Sequence, residues 1–221
     1  MKQTLRVWDA PTRIFHWTLA LSVVGLVVSA NIGGMAMQWH FRFGYLVLSL
    51  LLFRVAWGLV GGYWSRFSSF IYRPSQIVSY LKGVGDPAHS VGHNPLGAFS
   101  VFALLSILLL QVGSGLFSDD EIAASGPLVK MVTGDWVATA TYYHKEVGKF
   151  ILLTLVGLHL AAMVFYRLKK GQNLVKPMLS GDKEVDFAAP SASDLPADRV
   201  RASVIFLVSC AVVWGLVSWA G

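Results

Sequence analysis

The chain has 221 residues, of which 55% are hydrophobic and 14% are charged, and its mean hydropathy is +0.58. A soluble domain could not bury that much apolar surface, so the composition excludes a soluble globular protein and indicates an integral membrane protein. The net charge of +6 would suit a nucleic-acid binder, but the basic residues flank apolar runs and therefore indicate membrane topology. The single cysteine, Cys210, excludes a disulfide framework and covalent c-type haem attachment, and argues against cysteine-ligated iron–sulfur clusters.

Five apolar stretches predict an all-α membrane protein. In chain order, the predicted transmembrane helices cover about residues 14–32, 39–60, 96–117, 143–166 and 202–221. Asp9 is expected to cap the first helix, with Pro11 in its first turn, and Asn94-Pro95 to open the third. The first stretch could be a signal peptide, but it is too long for one and contains His16, which favours an uncleaved anchor.

The first four helices are expected to form one domain over residues 1–170. Residues 171–201 are polar and contain three prolines, which predicts a cytoplasmic linker to a fifth helix at 202–221. Positively charged loops of membrane proteins usually stay in the cytoplasm, and this sets the orientation. The N-terminus and the basic segments 61–94 and 167–201 are predicted to be cytoplasmic, while the turn at 33–38, the acidic loop 118–142 and the C-terminus are predicted to be outside.

Four histidines fall inside or at the ends of these helices, and they pair by depth. His16 and His159 lie near the cytoplasmic ends of the first and fourth helices, and His40 and His144 open the second and fourth helices on the outer side. His144 and His159 share one helix, about 22 Å apart along its axis and about 60° apart around it if it is α-helical throughout. Polar residues at membrane depth are costly and usually functional, so two ligand pairs at two depths are predicted.

Haem b is the group that best fits opposed imidazoles in a helical bundle. Zinc is the competitor, but it prefers four ligands, often with cysteine or carboxylate among them, and these residue types are lacking at the two depths. For any single histidine, a hydrogen-bonded side chain at the membrane interface is an equally good interpretation. Four histidines in matched pairs favour two haems over that alternative.

Three further residues are candidates for haem binding. Gly44 and Gly148 each follow a histidine by one helical turn, where a missing side chain would let a porphyrin lie flat; close helix packing is the alternative. Arg54 lies about 40° around the helix from His40 and roughly 21 Å deeper, near the inner pair. It could pair with haem propionates, or extend to the membrane surface as long basic side chains often do.

Other polar residues give weaker signals. His89 and His93 form an H-x-x-x-H pair, but a loop provides no fixed ligand face for a metal. His93 could instead border a haem edge or a quinone head-group. Gln111, Asn31 and Lys149 are expected to serve packing or the membrane interface.

Several stretches together resemble a known family, the bacterial di-haem cytochrome b-561 group, and in particular its nickel–iron hydrogenase b-type cytochrome branch. They are spread over the first four helices and are specific only in combination. The matching stretches are residues 7–17 (VWDAPTRIFHW), 40–44, 54–58 (RVAWG), 92–98 (GHNPLGA), 111–117 and 144–148, with His159.

The resemblance implies a four-helix transmembrane bundle that holds two b haems, with His16, His40, His144 and His159 as the axial ligands. It further implies electron exchange between a redox partner at the outer face, such as a hydrogenase or a multihaem c-type cytochrome, and the membrane quinone pool. Residues 171–221, with the fifth helix, lie outside the usual four-helix core of the family, so the resemblance implies no role for them.

The expected function is therefore that of an electron-transfer subunit in the bacterial cytoplasmic membrane. Two imidazoles per iron leave no open position for oxygen activation, so each haem is expected to shuttle one electron. The acidic loop 118–142 is a candidate contact for the partner. A superoxide:quinone oxidoreductase of the same fold is the main alternative, although it would favour a cationic outer face. A haem-free membrane anchor or metal transporter is a third hypothesis.

Overall fold

The computed structural model describes residues 3–84, 86–122 and 124–220, and most of them are helical. The elements are β1 (Gln3–Arg6), α1 (Ala10–Ile32), α2 (Met37–Val60), α3 (Pro74–Leu81), α4 (Pro95–Leu116), α5 (Gly134–Tyr142), a π-helix (Tyr143–Gly148), α6 (Lys149–Lys169), α7 (Val175–Ser180), β2 (Asp182–Val185) and α8 (Pro196–Ala220). Within these described residues, five helical stretches are long and apolar enough to cross a bilayer. The predicted all-α membrane class is confirmed.

The fourth and fifth helical stretches start well before the predicted bounds. The fourth begins at Gly134 with α5 and continues through the π-helix into α6, whereas the prediction began at residue 143. The fifth begins at Pro196 instead of 202, with proline in its first turn and Asp198 accepting a hydrogen bond from Leu195 N at 3.2 Å. The first turn of each contains an acidic residue. Such residues fall outside bounds drawn from apolar length, but they are favourable at the N-terminus of a helix.

The chain folds as two compact units, of which the first comprises Met1–Phe15, Arg54–Ala103 and Gly157–Ile205, and the second His16–Phe53, Leu104–Val156 and Phe206–Gly221. The core of the second unit contains side chains from α1, α2, α4 and α6. Its buried members are Val47, Leu51, Ile107, Leu108, Val112 and Leu152, with Leu19, Val23 and Leu26 of α1 packed against them. The four predicted core helices therefore share one apolar core within this unit.

The first unit contains a two-stranded sheet that joins distant parts of the chain. Strands β1 and β2 pair antiparallel, with Gln3 opposite Val185 and Arg6 opposite Asp182. Leu5, Val7, Trp8, Trp64, Val91, Val185 and Ala192 form the core beneath it. The interpretation of 171–201 as a polar linker is wrong in this respect, because the segment contains a helix, a strand and buried side chains. Strand β2 has four residues, most of them charged, so it shows no alternation of apolar and polar residues, and its partner strand is at the other end of the sequence. For these reasons the sequence pattern does not predict it.

Ion pairs centred on Asp194 hold the same segment in place. Its carboxylate accepts hydrogen bonds from Arg6 Nη1 at 3.0 Å, Arg199 Nε at 3.2 Å and Ala10 N at 3.2 Å. Burial alone would raise the pKa of Asp194, but the hydrogen bonds from Arg199 and Ala10 and the charges of Arg199 and Arg6 lower it below its usual value. Asp194 therefore stays ionised and links the end of β1 to the starts of α1 and α8.

Asp9 is the buried centre of the first unit. It caps α1 as predicted, because its Oδ1 accepts a hydrogen bond from Thr12 N at 2.8 Å. The fully buried carboxylate also accepts from Gly62 N at 3.1 Å, Ser65 Oγ at 2.8 Å and Trp57 Nε1 at 3.3 Å. One carboxylate thus joins the start of α1 to the end of α2 and the loop that follows it.

Replacement of Asp9 by alanine is expected to destabilise the first unit strongly. The substitution removes the cap of α1 and leaves several buried donors without an acceptor, each costing about 1–3 kcal/mol. We expect a loss of at least about 3 kcal/mol in the free energy of unfolding, measured by thermal unfolding of the detergent-solubilised protein. Asp186→Ala, which removes an exposed carboxylate of the same unit, is the matched control and should change stability little. Equal effects of the two substitutions would contradict the role of Asp9.

Candidate functional site

His40 and His144, predicted as the outer pair, lie next to each other in the second unit. Their ring centroids are 6.2 Å apart and the ring planes are nearly perpendicular, at 86°. His40 lies in the first turn of α2 and His144 in the π-helix, and both side chains are half-buried. The structure therefore brings together two imidazoles that are far apart in the sequence.

Hydrogen bonds to main-chain carbonyls fix the tautomer of both rings. His40 Nδ1 is 3.0 Å from Leu26 O, and His144 Nδ1 is 2.8 Å from Gln111 O. Since a carbonyl oxygen can only accept, each Nδ1 carries the hydrogen, and each Nε2 retains its lone pair. This is the arrangement that metal-bound histidines usually have, with Nδ1–H donated to an acceptor and Nε2 available as the ligand.

The separation of the rings fits a single iron atom between them. Metal–nitrogen bonds are about 2.0 Å long, so two rings whose Nε2 atoms faced one ion would have a centroid separation of this size. Among the described residues, no group of three or more histidine, cysteine or carboxylate side chains could hold a metal ion. Two nitrogen ligands without a third are insufficient for a typical zinc site but supply both axial positions of a haem.

The π-helix that carries His144 is joined to α4 by Gln111. Gln111 Nε2 donates to His144 O at 2.9 Å, while Gln111 O accepts the Nδ1–H of His144. Ser114 Oγ is also near the ring, 3.3 Å from His144 Nδ1. The sequence predicted a role for Gln111 in packing or at the membrane interface. The signal that could have identified it is a polar residue at membrane depth with glycine one helical turn later, at Gly115.

Glycines shape the space around the pair in different ways. A Cβ atom on Gly115 would be 2.9 Å from His144 Cε1, so this glycine makes room for the ring. A Cβ on Gly148 would overlap Gln111 Oε1, so at this position the helix-packing alternative accounts for the glycine. A Cβ on Gly44 would meet nothing within 4 Å. Gly44 therefore borders open space, which a flat cofactor beside His40 would need.

His16 and His159, predicted as the inner pair, lie in α1 and α6 and are both half-buried. The ring of His16 packs edge-on against Trp17, with centroids 5.1 Å apart. His16 belongs to the second unit and His159 to the first, and their pairing remains a prediction. The predicted 60° between His144 and His159 also needs correction, because it holds for an uninterrupted α-helix and the π-helix interrupts it.

Arg54 is buried in the first unit, with 3% of its surface exposed. Its guanidinium lies over the ring of Phe67, 4.7 Å from the centroid. The side chain therefore does not extend to the surface, as the snorkelling alternative requires. Its Nη1 atom has no hydrogen-bond partner within the described part of the chain. A buried cation with an unused donor is a suitable partner for an anionic group.

His89 and His93 occupy aromatic surroundings in the first unit. The ring of His93 lies against Trp8 and Phe70, with centroid separations of 4.6 and 4.5 Å, and His89 packs against Tyr72 at 4.9 Å. Among the described residues, no group of three or more histidine, cysteine or carboxylate side chains forms around them. The H-x-x-x-H pair therefore gains no support as a metal site.

Comparison with known proteins gives a consistent family assignment. A probable Ni/Fe-hydrogenase B-type cytochrome subunit of Rhizobium leguminosarum bv. viciae is 28% identical over 218 residues, covering 82% of this chain and 90% of that protein. A protein of the same name from Cupriavidus necator is 27% identical, with 79% and 85% covered. No solved structure matches the chain. The model of the prokaryotic cytochrome b561 family matches residues 7–181, most of the sequence, and the chain belongs to this family.

Proposed function

We propose that the protein is a di-haem b-type cytochrome that passes electrons across the bacterial cytoplasmic membrane, between a periplasmic redox partner and the quinone pool. The observation that carries the proposal is the His40–His144 pair, with both Nδ1–H groups bonded to carbonyls and both Nε2 atoms available. Membership of the cytochrome b561 family implies haem b as the cofactor. In the proposed orientation the N-terminus is cytoplasmic and the C-terminus periplasmic.

Each candidate residue has a defined role in this proposal. His40 and His144 are the axial ligands of the outer haem, and His16 and His159 those of the inner haem. The inner assignment rests on the matched depths in the sequence and on the family resemblance. Gly44 gives the outer porphyrin room beside α2. The buried guanidinium of Arg54 neutralises a propionate of the inner haem. Gly148 is retained only as a neighbour of the outer site, because the amide oxygen of Gln111 occupies the space that a side chain at position 148 would fill.

Haem b, when bound, supplies a reversible one-electron couple. Two histidine ligands for each haem would leave no position on the iron open to a substrate or to oxygen. The two carbonyl hydrogen bonds hold the rings in fixed orientations, so little rearrangement is needed when the charge at the site changes. Both features favour electron transfer over bond-making chemistry. Quinone is proposed to exchange electrons and protons at one end of the chain of sites.

A hydrogenase is the first candidate for the partner, because the curated relatives are named as hydrogenase cytochrome subunits. The proposed contact is the segment that precedes and follows His144. An open groove of about 610 Å³ lies there in the second unit, and its charged lining residues are Asp119, Glu121, Lys145 and Glu146. Since Lys145 and Glu146 directly follow His144, a partner in this groove would be close to the outer ligand.

The superoxide:quinone oxidoreductase alternative is less well supported by the same groove. An anionic substrate would be attracted by a cationic entrance. Three carboxylates against one lysine give the groove the opposite sign. A haem-free anchor is also disfavoured, because it would not require two adjacent imidazoles with their Nε2 atoms free.

Ligand substitutions are expected to remove one haem each. His144→Ala should lose the outer haem and His159→Ala the inner, so each variant should retain about half of the wild-type haem, since each site needs both axial ligands. The measurements are haem per polypeptide and the reduced-minus-oxidised spectrum of the purified protein. His89→Ala, outside both proposed sites, is the control. A wild-type spectrum without a b-type α band would refute the haem proposal, and loss of neither haem in the variants would refute the ligand assignment.

Gly44→Ala tests whether a porphyrin lies beside α2. The polypeptide itself has space for the methyl group, so the fold should tolerate the change, whereas a bound porphyrin would collide with it. We expect unchanged thermal stability of the haem-free protein and at least a tenfold weaker retention of the outer haem (about 1.4 kcal/mol), measured by haem content after detergent dilution. Gly113→Ala in α4, which also has open space at its Cβ position, should leave haem content unchanged. Identical haem content in the two variants would contradict the placement.

The partner can be identified by copurification in mild detergent. We expect a hydrogenase-type or c-type cytochrome subunit to accompany the wild-type protein and to be lost at raised salt, since the proposed contact is charged. Reversal of charge at Glu121 and Glu146 should weaken the association, and the same change at the exposed Glu184 of the first unit should not. Retention of the partner by the groove variant would exclude this groove as the contact.

A further inference from the structure

We propose that Gln111 is a positioning residue for the outer haem: its side-chain amide holds the π-helix around His144 and thereby sets the reduction potential of that haem. The inference rests on the proposed function, because it takes His40 and His144 as the ligands of the outer haem. Gln111 does not itself contact the iron in this proposal. It acts through His144.

The contact between Gln111 and His144 is reciprocal. The side-chain Nε2 of Gln111 donates to the main-chain carbonyl of His144 at 2.9 Å, and the side-chain Nδ1 of His144 donates to the main-chain carbonyl of Gln111 at 2.8 Å. The second bond fixes the tautomer of the ligand, and the first fixes the backbone that carries it. Because the second bond uses a main-chain oxygen, a substitution at position 111 removes only the first bond directly.

Two glycines provide the space that the side chains of Gln111 and His144 occupy. The amide oxygen of Gln111 occupies the space that a side chain on Gly148 would fill, and it has no hydrogen-bond partner among the described residues. Gly115, one turn further along α4, gives the imidazole its space. Gln111, Ser114 and Gly115 share one face of α4 by helical spacing, and all three contact or approach His144.

Loss of the amide should change the ligand and not only the packing. A π-helix is rare, and an α-helical turn in its place would rotate the attached segment by about 100°. The widened turn therefore depends on contacts such as the bond from Gln111. If it relaxes, the ring of His144 changes its orientation and its Nδ1–H bond to the carbonyl weakens. A weaker bond makes imidazole a poorer donor to iron, which stabilises the reduced form and raises the reduction potential.

Gln111→Met is the direct test, because methionine has similar length and no amide donor. The measurements are potentiometric titration of both haems and low-temperature electron paramagnetic resonance, whose g values report the angle between the axial imidazole planes. We expect both haems to be retained, the outer haem to shift to a higher potential with altered g values, and the inner haem to remain unchanged. Comparison with His144→Ala, which lacks the outer haem, assigns the signals.

A matched control and a second variant make the result decisive. Ser49→Ala removes a buried hydroxyl that bonds to Tyr45 O within α2, and should move neither haem. Gly148→Ala places a methyl group where the amide oxygen of Gln111 lies, so it should displace that side chain and shift the same haem in the same direction. If Gln111→Met fails to accumulate, the inference is judged on the potential and g values of the outer haem in Gly148→Ala.

Unchanged potentials and g values in a variant that retains both haems would overturn the positioning role while leaving the proposed function intact. A wild-type protein without two b haems would instead overturn the proposed function itself. An equal shift of both haems would also overturn the inference, because it would indicate a general structural effect.

Discussion

No water is available inside a bilayer to bond with the polar groups of the chain, so each of them needs a partner within the protein. A small number of hydrogen bonds between and within helices meets this requirement for several of these groups, whereas Gln111 Oε1 and Arg54 Nη1 have no hydrogen-bond partner among the described residues. His40 donates to Leu26 O, and Gln111 and His144 donate to each other's carbonyls. Ser29 and Ser49 donate to carbonyls one turn back in their own helices. The bonds of His40, Gln111 and His144 join neighbouring helices, while the apolar core supplies most of the stabilisation.

The same requirement fixes which ring nitrogen of His40 and His144 carries the hydrogen. An imidazole at an aqueous surface can take either tautomer, but an imidazole whose Nδ1 faces a carbonyl has only one favourable choice. The protein thus fixes the protonation pattern of His40 and His144 through main-chain atoms, which no substitution of a neighbouring side chain removes directly. What remains adjustable is the backbone that carries each ring, and at His144 that backbone is a π-helix in contact with Gln111.

Local signals in the sequence predict the helices and part of the site. Apolar length gives the five helices, and Asp9 with Pro11 gives the start of α1, because capping depends on neighbouring residues. The depth of His40 and His144 predicts that they are neighbours, since orientation and helix length together set depth. The strand pairing, the π-helix and the roles of Gln111 and Gly115 depend on contacts between remote residues, which periodicity does not encode. For Arg54 the sequence left two interpretations equal, a partner for a haem propionate and a side chain that extends to the membrane surface. Its burial argues against the second.

The pairing of β1 with β2 has a consequence for the order in which the chain matures. Gln3 pairs with Val185, so the first strand emerges from the ribosome long before its partner exists. The same delay applies to Arg6, whose ion pairs with Asp182 and Asp194 can form only after those residues have been synthesised. The second unit already holds the main parts of α1, α2 and α4, with the start of α6, by residue 156. Contacts of such long range form late in folding. The first unit therefore closes only after α1, α2, α4 and α6 have been synthesised.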